Sequence, residues 1–236
     1  MMANENKGIS QNELNNNVSA VGQLGERPSV RFEGKMGGMR VLIIGNSITW
    51  HAPNEGIGWP GDWGMAASAP EKDFVHRLCA MLSEKYGDIS LCIAQLASWE
   101  RGYEEGRALL DRMYDTARDF AADLVVVRIG ENMPRGSAPA CKPYFDDMIK
   151  YFCTNPNVRV VISDDFWHND ARDEMIREIA EENGYAFCQI SDLEQDPRTM
   201  ALGEYEHRGV SLHPSDYGME QIACRLFETV KKNFEF

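Results

Sequence analysis

A serine that follows a short apolar run is the residue in this sequence best placed for nucleophilic chemistry. Ser47 comes after Gly45 and Asn46, where the apolar run at 40–45 ends. A glycine there lets the backbone turn sharply, so the serine hydroxyl would be presented at the rim of a sheet. The same serine could instead cap the segment that follows it, and its position alone leaves both interpretations open.

A histidine and an asparagine farther along the chain could complete a site for acyl transfer. His213 stands before a terminal amphipathic stretch, and Asn132 follows a second apolar run at 123–129. A serine hydroxyl needs a base to take its proton, and histidine, with a reference pKa near 6.5, can do this and then protonate the leaving group. An amide N–H that stabilises the oxyanion intermediate is worth about 3 kcal/mol, and the backbone N–H of Ser47 is a second candidate donor.

The elements that must position these side chains follow an alternating pattern. Short runs rich in Val and Ile are nearly continuous, which is typical of parallel strands covered on both faces, and amphipathic stretches separate them. Five alternations predict a three-layer α/β/α sandwich with a five-stranded parallel sheet, whose ligand site lies at the carboxyl ends of the strands. The predicted strands are 40–45, 89–95, 123–129, 158–163 and 186–190, and the predicted helices are about 71–86, 103–119, 141–153, 170–183 and 216–232.

Three short motifs resemble those of a known enzyme family. Gly45-Asn46-Ser47 resembles the first sequence block of the SGNH (GDSL-type) hydrolases, whose serine is the nucleophile. Gly130-Glu131-Asn132 resembles their third block, whose asparagine helps to form the oxyanion hole, and His213-Pro214 resembles the fifth. The resemblance covers residues 39–230 and implies a flavodoxin-like α/β/α fold and a serine esterase. It also implies a backbone donor after the second strand, where Ala97 and Ser98 are the candidates.

One position departs from the family pattern. The family usually has an aspartate three residues before the histidine, and this chain has Val210 there. Losing the group that orients the imidazole costs up to about four orders of magnitude in rate when the wrong tautomer results. A backbone carbonyl or a carboxylate from elsewhere must therefore hold His213, and the candidate acids are Asp164, Asp165 and Glu131.

Aromatic residues lie in two segments near the predicted site. A Gly- and Pro-rich insertion at 51–70 follows the serine, and a second aromatic pair follows the fourth predicted strand. Such side chains could stack on sugar rings, although an insertion of this length also needs apolar residues to pack itself. The candidate substrate-binding residues are Asn46, Trp50, Trp63, Phe166 and Trp167.

Composition narrows the class of partner. The 236 residues carry 24 Lys and Arg against 37 Asp and Glu, a net charge of −13, which disfavours nucleic acid. No apolar run approaches the roughly 18 residues of a membrane span. The histidines are dispersed without metal-ligand spacing, so neither a metal nor another cofactor is expected. The sequence does not indicate an oligomeric state.

The first 38 residues differ from the rest of the chain. They contain few large apolar side chains and are predicted to form a largely disordered polar extension before a hydrolase domain at 39–236. A short edge strand at 29–32 is also expected. Because no charged segment is followed by an apolar one, a cytoplasmic location is expected by default, and a secreted or periplasmic one if a signal has been removed.

These residues predict a serine esterase, and the family resemblance together with the aromatic segments implies that it removes acetyl or another short acyl group from a carbohydrate. A small-molecule or glycan ester would be its substrate. Two alternatives remain open. A lipid-directed esterase or thioesterase would need an apolar tunnel, and a glycan-binding module with a decayed hydrolase site would be consistent with the missing acid at Val210.

Overall fold

The computed structural model describes residues 29–35 and 37–236, which form helices around one central sheet. The sheet has six strands in the order β1-β3-β2-β4-β5-β6. β2 to β6 are parallel, and β1 pairs antiparallel with β3 at the edge. The predicted three-layer α/β/α fold with five parallel strands is confirmed, with one additional strand. The strands are β1 (Val30–Gly34), β2 (Met39–Gly45), β3 (Ile89–Gln95), β4 (Leu124–Arg128), β5 (Arg159–Ser163) and β6 (Ala186–Cys188).

The parallel strands are apolar on both faces because helices cover both. Leu42 and Ile44 of β2 belong to one buried cluster, and Val41 and Ile43 belong to the other. This alternation is the two-residue period of a strand, with both faces kept from water. The loops that form the site therefore extend from a sheet that is buried on both faces.

Most helices begin and end within a few residues of their predicted bounds. The exception is the predicted helix at 103–119, which is broken at Gly106, where φ is 56°, and again at Tyr114, where φ is −135°. A short helix also forms at 97–102, where the sequence predicts a loop. The helices are α1 (Phe74–Tyr86), α2 (Ala97–Gly102), α3 (Arg107–Met113), α4 (Asp115–Asp119), α5 (Ala138–Phe152), α6 (Asp170–Asn183), α7 (Arg208–Ser211) and α8 (Asp216–Asn233).

Strand β1 places part of the expected N-terminal extension in the folded domain. It pairs with β3 along its whole length, and the Arg31 guanidinium lies 4.2 Å from the ring centroid of Trp50. Glu33 Oε2 lies 3.1 Å from His76 Nε2 on α1. The expected edge strand is thus confirmed, and the ordered domain begins before the predicted boundary at residue 38. Residues 1–28 and 36 of the predicted extension lie outside the described residues.

The chain order of the strands directs attention to the carboxyl end of β2. From β2 the chain passes to β3 on one side and then crosses to β4 on the other. Such a change of direction opens a crevice at the carboxyl ends of the strands, where ligands bind in open α/β sheets. Among the described residues, no helix is long and apolar enough to cross a membrane.

Candidate active site

Ser47 lies on a tight turn directly after β2. The turn is closed by the backbone N–H groups of Thr49 and Trp50, which both donate to the Asn46 carbonyl at 3.0 Å. A Cβ at Gly45 would lie only 1.7 Å from Thr49 Oγ1, so the turn has no space for a larger residue there. Ser47 itself is half-buried, and its Oγ lies 2.8 Å from His213 Nε2. The predicted nucleophile and base are therefore within hydrogen-bonding distance.

The His213 ring is oriented by a backbone carbonyl. Its Nδ1 lies 2.6 Å from the carbonyl oxygen of Gly209, four residues earlier and at the second residue of α7. A carbonyl can only accept, so Nδ1 must carry the proton and Nε2 must present its lone pair to Ser47. This tautomer is the one that a general base needs, although no carboxylate in the described part of the chain fixes it.

Burial keeps this imidazole uncharged. It lowers the pKa of His213 to about 4, and the hydrogen bond to Gly209 only partly opposes this effect. Burial disfavours the charged imidazolium, so the ring gives up its proton at a lower pH than an exposed histidine does. The base is therefore unprotonated, and able to accept the serine proton, from neutral pH down to about pH 5.

The carboxylates predicted as partners of His213 are bound to other groups. Asp164 accepts hydrogen bonds from Ser191 Oγ and from two backbone N–H groups, Asp165 pairs with Arg172, and Glu131 pairs with Arg128. The structure thus corrects the prediction of an acid from elsewhere and agrees with the alternative of a backbone carbonyl.

Val210, at the position of the family's aspartate, points into a small apolar cluster. It is fully buried and packs with Trp59 and Met65 of the insertion. The histidine segment is therefore anchored by apolar contacts in place of a charged one. The edge of Trp167 also meets the His213 ring, with the ring centroids 5.1 Å apart, and its Nε1 donates to the Leu212 carbonyl.

Asn132, the predicted oxyanion donor, is held from both sides. Its Nδ2 donates to Glu100 Oε2 at 2.6 Å, and its Oδ1 accepts from the Arg101 guanidinium at 3.2 Å. Among the described residues the second N–H of this amide has no acceptor, and neither has the backbone N–H of Ser47. Both remain available to an oxyanion.

Glu100 organises this side of the site and was not identified from the sequence. It is fully buried, and Oε1 accepts hydrogen bonds from the backbone N–H groups of Gly130 and Asn132 at 2.8 and 3.0 Å and from Asn46 Nδ2 at 3.2 Å. Burial, together with the nearby charge of Glu131, raises the pKa of Glu100. One carboxylate therefore connects the nucleophile turn to the oxyanion loop. Its sequence signal is weak, since Glu100 stands between Trp99 and Arg101 in a stretch where the pattern predicts a loop.

The buried Arg128–Glu131 ion pair contacts Asn46 and so stabilises the turn that carries Ser47. Arg128, fully buried at the end of β4, bonds to Glu131 Oε1 and to Asn46 Oδ1, both at 2.6 Å. Asn46 Nδ2 completes the ring of contacts by donating to Glu131 Oε2 at 2.6 Å. Burial alone raises the pKa of Glu131, but the charge and hydrogen bonds of Arg128 outweigh it and hold that pKa below its usual value. Asn46, predicted to bind substrate, is 1% exposed and does not line the cleft, so its side chain acts as a support for Ser47.

A cleft of about 240 Å³ opens over Ser47 and His213. The insertion at 51–70 supplies part of its wall, as its place in the sequence indicates. Ala97 lies in the wall, but its N–H donates to Gln95 Oε1 at 3.2 Å, and Ser98 is not among the lining residues. The lining consists of Ser47, His51, Ile57, Met65, Gln95, Ala97, Arg101, Asn132, His207, Gly209 and His213.

The aromatic residues predicted to bind substrate pack inside the protein. Trp50 is 4% exposed and Phe166 is fully buried, so neither can stack on a sugar ring. Trp63 and Trp167 are half-buried, and each donates its indole N–H to a backbone carbonyl. None of the four lines the cleft. The interpretation that such aromatic side chains pack the protein itself fits the structure better, since all four lie in or against a buried apolar cluster.

Within the described part of the chain, no cluster of three or more His, Cys, Asp or Glu side chains is arranged to hold a metal ion. The chemistry that this arrangement can perform is nucleophilic attack by Ser47, with His213 as base and Asn132 as oxyanion donor.

Comparisons with known proteins give likenesses in structure but none in sequence. No protein-family model and no curated protein matches the chain. A lipase/acylhydrolase from Enterococcus faecalis superposes with a TM-score of 0.56 at 12% identity, covering 84% of this chain and 97% of that one. An acetyl xylan esterase superposes with a TM-score of 0.51 at 16% identity over 81% and 100% of the two chains. A family two carbohydrate esterase from Cellvibrio japonicus gives 0.53 at 14% identity over 82% and 61%.

The chain therefore has the fold of the SGNH (GDSL-type) hydrolases, the family that its sequence motifs resemble. At these identities the likeness shows the fold alone, and the activity has to be argued from the site.

Proposed function

We propose that this protein is a serine esterase that hydrolyses acetyl or other short acyl esters of a carbohydrate. The observation that carries the proposal is the hydrogen-bonded chain from Ser47 Oγ through His213 to the Gly209 carbonyl, with distances of 2.8 and 2.6 Å. An uncharged, correctly oriented histidine beside a serine at the rim of a cleft is the arrangement that acyl transfer needs.

The reaction proceeds in two halves. Ser47 Oγ attacks the ester carbonyl while His213 Nε2 takes the serine proton, and the tetrahedral oxyanion accepts hydrogen bonds from Asn132 Nδ2 and the Ser47 N–H. Collapse breaks the bond to the alcohol, which leaves with the proton from His213. Water then gives its proton to His213 and attacks the acyl-enzyme. The carboxylic acid product then leaves, as His213 returns the proton to Ser47 Oγ.

The size and lining of the cleft support a short acyl group. A volume of about 240 Å³ is small, and polar side chains from several loops share the wall with Ile57 and Met65. An apolar tunnel, which a lipid-directed esterase or thioesterase would need, is not what these lining residues form. The carbohydrate part of the proposal draws on the likeness in fold to an acetyl xylan esterase.

The test is hydrolysis of p-nitrophenyl acetate, butyrate and octanoate by the wild type and by Ser47→Ala. Ser83→Ala, at an exposed helical serine, is the matched control. We expect the wild type and the control to favour acetate, and a Ser47→Ala variant with an unchanged circular dichroism spectrum to lose about 10³-fold or more in rate.

Other results would change the assignment. Equal, slow rates in the wild type and Ser47→Ala would contradict the esterase and favour the glycan-binding module. Ser47-dependent rates that rise from acetate to octanoate would instead favour the lipid-directed alternative.

A further inference from the structure

The formal charge of the residues that line the cleft differs in sign from the net charge of the protein. The chain carries a net charge of −13, yet none of the described lining residues is an Asp or a Glu. The lining includes one cation, Arg101, and the three histidines His51, His207 and His213. A cleft lined by one sign of charge concentrates the field locally, so the net charge of the whole protein does not decide which ligand enters.

Arg101 is exposed beside the catalytic groups. One N–H of its guanidinium donates to Asn132 Oδ1 at 3.2 Å, which places the cation next to the oxyanion donor. Among the described residues no carboxylate lies within 4.0 Å of this guanidinium, although Arg107, Arg112 and Arg118, which follow it in the chain, each pair with an acid. The remaining N–H groups of Arg101 can therefore bind an anion that arrives with the substrate.

We propose that Arg101 forms a carboxylate subsite, so that the preferred substrate is a short acyl ester whose alcohol part carries a carboxylate, as an acetylated uronic acid does. The planar guanidinium matches a carboxylate in a paired, charge-assisted contact that a neutral sugar cannot make. This inference rests on the proposed esterase function and extends it to a class of substrate.

The subsite has a catalytic consequence through Asn132. A substrate carboxylate on Arg101 would lie one side chain away from the oxyanion donor, which would bring the ester of the same molecule towards Ser47. Binding energy from a remote group can in this way position the reacting bond. The preference for a carboxylate-bearing ester should therefore be visible in kcat/KM, which reports the free energy of the transition state relative to free enzyme and free substrate.

The experiment compares two aryl acetates of similar shape, 4-acetoxybenzoate and the neutral 4-acetoxybenzamide. The measured quantity is the ratio of their kcat/KM values in the wild type, in Arg101→Gln and in Arg159→Gln. Arg159 is an exposed arginine at the amino end of β5, the opposite end of the strands from the cleft. Comparing ratios across variants cancels the intrinsic reactivity of each ester and any loss that Arg101→Gln causes through Asn132.

We expect Arg101→Gln to lower the ratio about tenfold to a hundredfold and Arg159→Gln to leave it unchanged. We also expect the wild-type ratio to fall as salt is added, since salt screens an exposed charge. Ser47-dependent hydrolysis of both esters with the same ratio in the wild type and Arg101→Gln would overturn the subsite and leave the esterase standing. No Ser47-dependent hydrolysis of either ester would overturn the proposed function and the subsite with it.

Discussion

The two sides of the site hold their functional groups by opposite means. On the base side, comprising Gly209, Val210 and His213, one uncharged carbonyl orients the imidazole and a buried valine anchors the segment. On the oxyanion side, comprising Glu100, Asn132 and the Arg128–Glu131 pair, buried charges hold the amide and the nucleophile turn.

This difference shows where the fold places its buried charge. A carboxylate beside His213 would raise the pKa of the ring and stabilise the imidazolium that forms during reaction. The carbonyl at Gly209 fixes the tautomer but contributes less to that charge, and burial lowers the pKa of His213 to about 4. The oxyanion side instead keeps its donors in place before the substrate arrives, which is the preorganisation that stabilises a developing negative charge.

The largest expected effect comes from removing the base. His213→Ala should lower kcat for acetate esters about 10⁴-fold, because the serine then has no acceptor for its proton. His168→Asn, at a ring that bonds to Asp170 and Asp173, is the control and should stay within about threefold of the wild type. Steady-state kinetics on folded protein measures both. A His213→Ala variant with near wild-type kcat would contradict the role of His213 as the general base.

The next effect tests the oxyanion side. Glu100→Ala should lower kcat about 10²-fold with little change in KM, because Asn132 and the Gly130 N–H lose the acceptor that holds them. Thermal unfolding should show a loss of about 3 kcal/mol as buried donors go unsatisfied. Glu100→Gln keeps one acceptor and should recover part of kcat.

Glu104→Ala, at an exposed acid in the same stretch of chain, is the matched control and should leave both quantities unchanged. If folded Glu100→Ala retains the wild-type kcat, the buried carboxylate does not position the oxyanion donor.

A third variant introduces the family's acid on the base side. Val210→Asp should destabilise the protein by about 3 kcal/mol and should not raise kcat, because the side chain at 210 points into the cluster with Trp59 and Met65. Val210→Thr, with nearly the same shape, should cost about 1 kcal/mol. Thermal unfolding and kcat are the measurements, and a folded Val210→Asp with higher kcat would show that an acid at 210 reaches the ring.

The sequence allows the reacting residues to be predicted more readily than their supports. Ser47, Asn132 and His213, the proposed reacting residues, are side chains at the ends of recognisable elements, so type and spacing point to them. The Gly209 carbonyl has no side-chain signal, since every residue carries a carbonyl. Glu100 is missed for another reason: its function depends on a short helix, α2, that tertiary contacts form where the sequence pattern predicts a loop.

The aromatic residues predicted to contact substrate do not line the cleft. Aromatic side chains can either stack on a sugar ring or pack the protein itself, and the sequence does not distinguish these two roles. Trp50 and Phe166 follow strands at the carboxyl ends, where the site lies. Their large apolar side chains are nevertheless buried, because they pack the insertion and the loop after β5. The predicted boundary at residue 38 rests on composition, which carries no information about backbone pairing. Residues 30–34 mix apolar and charged side chains, and the structure adds that their backbone groups pair with β3 and that Arg31 contacts Trp50.

The central claim is that Ser47 is activated by a half-buried, neutral His213 held by a backbone carbonyl. The most direct test is the pH dependence of kcat/KM for the Ser47-dependent hydrolysis of p-nitrophenyl acetate. The base must be unprotonated, and burial lowers its pKa, so the rate should stay level from pH 8 to about pH 5 and fall with an apparent pKa of about 4. A fall centred at 6.5 or above would contradict the account, because it would mean that the ring is exposed or paired with a carboxylate.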